Sequence, residues 1–316
     1  KFNAAELTRT EYYEAIRDTS GKGNVNSRNF KGIELAASSL LAPLNIALVK
    51  KNAAFLGEYR RVLREALPPL LANNLYARIE AMIVLSKAAD ATDLPLLLKE
   101  LKNPDQVMLV KLWALRGLTT LTQSGRADLA SQRASEAAQA VIDYLASDSE
   151  MPWWIQFRAL EAIGSLRQSS SNPLSAKAEY SSAVLKLLAS EETKLEVRAM
   201  AAWALGWMRP TGRAEDYNWS LVAYHVGRAA ADFGDRLIEQ TSGSTERAKY
   251  LMGFYVYKLL AGMTGDESIR ESGLLPLSRT TPSREYVQNI HQRVLAIATT
   301  GLEVTRAPSA QLESRK

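Results

Sequence analysis

Few groups in this 316-residue chain are capable of chemistry. The only two histidines, His225 and His291, lie far apart, and neither has a second histidine or a carboxylate at metal-ligand spacing. There is no cysteine, which removes thiolate catalysis, disulfides and cysteine-based zinc sites together. No Gly-x-Ser-x-Gly elbow occurs. Ser20-Gly21-Lys22-Gly23 places two glycines around a lysine, but it lacks the spacing and the Lys-Ser/Thr ending of a phosphate loop. Glu191 and Glu192 are paired carboxylates in a polar turn, where solvation or capping is the ordinary role. This inventory argues against an enzyme and implies no cofactor and no metal. One catalytic route stays open, a carboxylate pair assembled from distant helices.

Tryptophan is more informative. Trp203 and Trp207 are four residues apart and share one side of a helix. Trp153 and Trp154 are adjacent, so a helix cannot turn both toward its core. An exposed tryptophan is a typical interface anchor. Trp113, Trp153, Trp154, Trp203 and Trp207 are therefore candidate partner-binding residues. For Trp203 and Trp207 the competing reading is packing against C-terminal helices, near Tyr217 and Trp219. The net charge of +5 and pI near 9.2 make the chain mildly basic. Lys111, Arg116 and Arg158 are candidate nucleic-acid contacts, but basic residues alternate with acidic ones, as in Glu58-Tyr59-Arg60-Arg61, and form no dense stripe.

These residues sit on a repeating frame. Anchors at Arg78, Lys111, Gln156 and Arg198 are 33, 45 and 42 residues apart. Three residues after each anchor comes Ala81, Ala114, Ala159 or Ala201. Seven after comes Leu85, Leu118, Ile163 or Leu205. Ten after comes Ala88, Leu121, Leu166 or Met208. That spacing traces one helical face. The small residue admits a neighbouring helix closely, and Gly164 and Gly206, eight after their anchors, suit a tight contact near the helix end. An amphipathic helix precedes each of the last three anchor helices, at 94–101, 134–145 and 182–188. Polar turns such as Lys102-Asn103-Pro104-Asp105 and Ser147-Asp148-Ser149-Glu150 intervene. Trp203 and Trp207 fall five and nine after the anchor, where earlier units hold Arg116 and Thr120, or Glu161 and Ser165.

Val197-Arg198-Ala199-Met200-Ala201-Ala202-Trp203-Ala204-Leu205-Gly206 resembles the second-helix pattern of the HEAT-repeat (armadillo-type) family, and the resemblance covers roughly residues 55–210. It implies an all-α fold, a right-handed α–α superhelix of helical hairpins, with anchor side chains tying the preceding turn. Lys111 and Gln156 depart from the family's arginine, and the loops 123–133 and 168–179 are longer than a minimal unit needs. The expected organisation is an N-terminal helical extension (1–54), the repeat array (55–210), a C-terminal helical cap (211–306) and a disordered tail (307–316). In the extension, the reading is a helix over 4–17, then two helices broken near Pro43. In the cap it is helices over 218–240, 245–261 and 284–304.

The stretch Gly32–Val49 carries Glu34, Pro43 and Asn45, which argues against a membrane span. Numbering from Lys1 rather than Met fits removal of an N-terminal segment, and zero cysteine suits an exported chain and a cytoplasmic one alike. A curved stack of helix pairs offers an extended surface, so the expected function is a non-enzymatic scaffold or adaptor for a protein or peptide. The alternatives are a nucleic-acid binder, including a HEAT-like DNA glycosylase, and a structural subunit of a larger complex.

Overall fold

The computed structural model describes residues 27–123, 129, 131–172, 177–210, 217–240, 255–267, 269 and 271–306. The helix expected over 4–17, most of the one expected over 245–261, and the tail lie outside these residues. The described residues are helical with no strand, so the fold is all-α. Its contacts divide it into two compact units, meeting between Leu129 and Ala130.

The first unit holds α1 (Ser27–Val49), α2 (Ala53–Ala66), α3 (Leu75–Ala88), α4 (Leu94–Lys102) and α5 (Met108–Gln123). Helix α1 runs unbroken through Pro43, against the sequence expectation of a break. The ring removes the amide that would bond the carbonyl of Ser39 and crowds that carbonyl, and Ser39 is an exposed residue where the helix can give way and solvent can take the amide's place. Over 31–49, α1 is long and apolar enough to cross a membrane by length and composition, with mean hydropathy 1.6, and it is 33% buried in the unit. Helix α3 packs against α1 and α5, and α5 packs against α4 as well. Asn52 and Asn74 cap α2 and α3 by accepting from the amides of Phe55 and Ala77. Arg64 bridges α2 to the start of α4, with Nε 3.0 Å from Asp93 and Nη2 3.3 Å from Asp90.

The second unit holds α6 (Ser131–Ala146), α7 (Trp153–Leu166), α8 (Glu179–Ala189), α9 (Leu195–Trp207), α10 (Trp219–Gln240), α11 (Tyr257–Thr264), the short α12 (Leu274–Leu277) and α13 (Arg284–Arg306). Helix α7 packs on α6 and α9; α9 also packs on α8, α10 and α11; α10 and α11 both pack on α13. All twelve residues three, seven and ten after the anchors are buried, so the periodic face is the packing face throughout. The glycines do as their spacing suggests. A Cβ on Gly164 would stand 2.7 Å from the Trp203 ring and 2.9 Å from the backbone of Ala204.

Candidate functional site

Two of the four anchors bond the turns before them. Arg78 donates from Nε to the carbonyl of Asn73 at 2.5 Å, and Gln156 donates from Nε2 to that of Met151 at 2.8 Å. Both reach five residues back, so glutamine reproduces the arginine's local bond with a different donor. Arg198 reaches the carbonyl of Leu188 at the end of α8 at 3.1 Å, and its Nη1 meets Asp232 of α10 at 2.6 Å. Lys111 is half-buried, and that burial pulls its ammonium below the usual lysine range against the opposing charge of Asp105. Two of the intervening turns close alike: the amide of Asp105 bonds Asn103 Oδ1 and that of Glu150 bonds Asp148 Oδ1.

The tryptophans separate into two groups. Trp203 and Trp207 are 4% and 8% exposed, with ring centroids 4.7 Å apart. Helix α11 covers this face. Lys258 Nζ lies 4.7 Å over the Trp203 ring. A Cβ on Gly262 would fall 2.5 Å from the carbonyl oxygen of Ala202. The aromatic change in the last unit therefore serves packing inside the chain, and these two residues offer no open patch. Tyr217 and Trp219 form their own edge-on pair, with centroids 4.6 Å apart. Trp113, Trp153 and Trp154 are all half-buried.

A repeated feature escapes the tryptophan argument. Leu75 and Tyr76 are each 45% exposed, Met108 is 37% and Leu109 43% exposed. They open α3 and α5, three and two residues before the anchors Arg78 and Lys111. Trp153 and Trp154 hold the same two places at the start of α7. The fourth unit breaks the series with Leu195, which is buried, and Glu196. In the first unit the loops leading into the two doublets are joined. Gln106 Nε2 donates to the carbonyl of Leu71 at 3.4 Å and to Glu100 at 2.6 Å. The signal was present in the sequence, one step upstream of the anchors, at positions that a frame counted only downstream does not reach.

Among the described residues no group of three His, Asp or Glu converges as a metal site. Burial, with Arg228 and Arg198 nearby, holds His225 below the usual histidine range; burial alone does so for His291, whose Nε2 is 3.1 Å from Thr264 Oγ1. One groove lies along α6, residues 171–172 and the start of α8, lined by Ser131, Gln132, Glu136, Gln139 and Tyr180 among others. Tyr180 Oη donates to Gln139 there at 3.0 Å. A second groove pairs each of its arginines with a carboxylate: Arg198 with Asp232, Arg228 with Glu191, Arg236 with Glu196. Arg116 on α5 and Arg158 on α7 lie in different units; Arg158 bonds Glu161 at 2.7 Å. No family model, curated protein or solved structure matches the chain.

Proposed function

We propose that the chain is a non-enzymatic scaffold of HEAT-like helical hairpins, a right-handed superhelix over its repeat part, that holds a protein or peptide partner. The observation that carries this reading is the apolar doublet repeated at the start of successive anchor helices. A single exposed leucine is ordinary in a folded protein, whereas large apolar residues left exposed at the same place on successive helices are a pattern that packing within the chain does not use. The half-exposed tryptophans Trp153 and Trp154 belong to the same series and have the composition of interface anchors. The i−5 bonds of Arg78 and Gln156 support the repeat, because two units close their turns by equivalent contacts.

Site-specific photo-crosslinking in the native cell tests this. A benzophenone side chain at Tyr76, Leu109 or Trp154 should trap one common protein. The same group at Glu58 or Ser182, exposed residues outside the series, should not. Equal labelling at all five positions, or none at the doublets, overturns the proposal. The nucleic-acid alternative predicts instead a trapped DNA or RNA strand and affinity that falls steeply with salt.

A further inference from the structure

Two residues after the four anchors stand Glu80, Trp113, Arg158 and Met200, so Glu80 is the single carboxylic acid of its series. It is half-buried in the middle of α3 and lines a cavity of about 10 Å³ between α1 and α3 that is otherwise apolar. Ile33 and Ala37 of α1 form one wall, Leu70 another, and Ala81 and Val84 of α3 stand beside the carboxyl. That volume admits about one water at most. Among the described residues Glu80 has no hydrogen bond or ion pair. A carboxylate there has lost part of its hydration and gained no donor in return, whereas the neutral acid suits an apolar wall.

The charged groups around α3 do not correct this. Helix α1 brings Lys31 and Glu34, α5 brings Lys111 and Arg116, and the turn 68–72 brings none. On α2, Arg61 is paired with Glu58 and Glu65, while Arg60 and Arg64 face Asp90 and Asp93. On α3 itself Arg78 is bonded to Asn73. Burial pushes the Glu80 carboxyl above the usual glutamate range, Glu34 adds to the push, and Lys87 pulls the other way. Helix α1 buries only 33% of its apolar span in the unit, and α3 is its main packing partner. We infer that α1 is seated on the first unit through a proton-sensitive contact, in which the neutral Glu80 carboxyl completes the apolar cavity and its carboxylate, repelled by Glu34, loosens it. The seated helix surrounds the carboxyl, and the released helix leaves it to water. The seated state therefore holds the proton more tightly, so seating strengthens as pH falls through the raised value and weakens as pH rises above it.

Hydrogen–deuterium exchange of the full chain at about pH 5 and about pH 8, corrected for the chemical exchange rate, reads the seating of α1. Amides of α1 should be about threefold or more better protected at the lower pH, relative to those of α7 in the second unit. Glu80→Gln keeps the shape without the charge, so it should protect α1 at both pH values and remove most of the difference. Glu34→Gln, at an exposed position, should shrink the difference without abolishing it. An α1 whose protection does not depend on pH overturns the inference, and so does a Glu80→Gln protein that keeps the wild-type difference. Carboxyl carbon NMR of the unsubstituted chain makes the test independent of how the variants fold. Glu80 should titrate above the usual glutamate range, and a midpoint within that range also overturns the inference.

Discussion

The same substitution, glycine to alanine, should change stability in opposite directions at two helical positions. At Gly206 in α9 a Cβ would lie 1.9 Å from the carbonyl oxygen of Gly262, 2.7 Å from its carbon and 2.8 Å from its Cα. Both sides of that contact are helix backbone, so no side chain can turn aside. Restoring an ordinary carbon–oxygen separation of about 3.2 Å requires α9 and α11 to part by more than ~1 Å, which opens gaps around Leu259, Met263 and Trp203. Overpacking of this severity exceeds the usual range of about 1–3 kcal/mol, and alanine's better helix propensity returns about 1 kcal/mol. The net expectation for Gly206→Ala is a loss of about 3 kcal/mol, or a melting point about 6–12 °C lower for a unit of this size. Gly57 in the middle of α2 has nothing among the described residues within 4 Å of the added Cβ. Gly57→Ala should therefore stabilise by up to about 1 kcal/mol. Calorimetry of both variants beside the wild type reads the two signs. A Gly206→Ala protein that melts at or above the wild-type temperature refutes the backbone-to-backbone contact.

Arg198→Lys keeps the charge but cannot serve Leu188 and Asp232 from one planar fork, so it should cost about 1 kcal/mol, and Arg198→Met about 2–3 kcal/mol; chemical denaturation that ranks the two equally would deny the geometry its role. Tyr217 is buried and its hydroxyl has no hydrogen-bond partner among the described residues, so Tyr217→Phe should be neutral or stabilise by up to about 1 kcal/mol, and a clear loss in urea melts would contradict this. Burial pushes Tyr59 up to about 12. Its folded pKa lies above the unfolded value near 10, so the folded state keeps its proton longer and stability is lost as pH rises from about 10 to 12. Tyr59→Phe should remove that contribution to alkaline unfolding, at the expense of the 2.6 Å bond to the Leu40 carbonyl, and an unchanged alkaline slope would count against it. Iodide should quench Trp153→Phe and Trp154→Phe proteins less than the wild type and leave Trp203→Phe quenched as strongly; the reverse order would reassign which indoles meet solvent.

What the sequence disclosed followed from local period. Ala81, Ala114, Ala159 and Ala201 and their larger companions share a spacing that only a buried helical face explains, and every one is buried. Gly164 and Gly206 were legible as close contacts for the same reason, although the partner of each was not. Pro43 misled because a lost bond and a crowded carbonyl are a local cost, and an exposed turn of α1 tolerates it. The change of surface at Trp203 and Trp207 was visible, but its cause lies in α11, more than fifty residues along the chain. The bond from Arg198 to Asp232 spans 34 residues and has no periodic signature. Leu75-Tyr76 and Met108-Leu109 were hidden for another reason. A leucine or methionine beside an anchor helix looks like core, and only measured exposure separates a packing residue from a presented one.

The glycine crossing between α9 and α11 also bears on where the second unit tolerates added chain. A segment inserted so as to lie on α9 at Gly206 would have to evict α11, because two backbones there touch without an intervening side chain. The Gly164 contact is closed in the same way, with a Cβ 2.9 Å from the Cα of Ala204. The Gly117 contact in the first unit is softer, since a Cβ there would first meet the side chain of Leu97, which can rotate away. Insertions in the second unit are therefore expected to be tolerated in its loops and not between α7, α9 and α11.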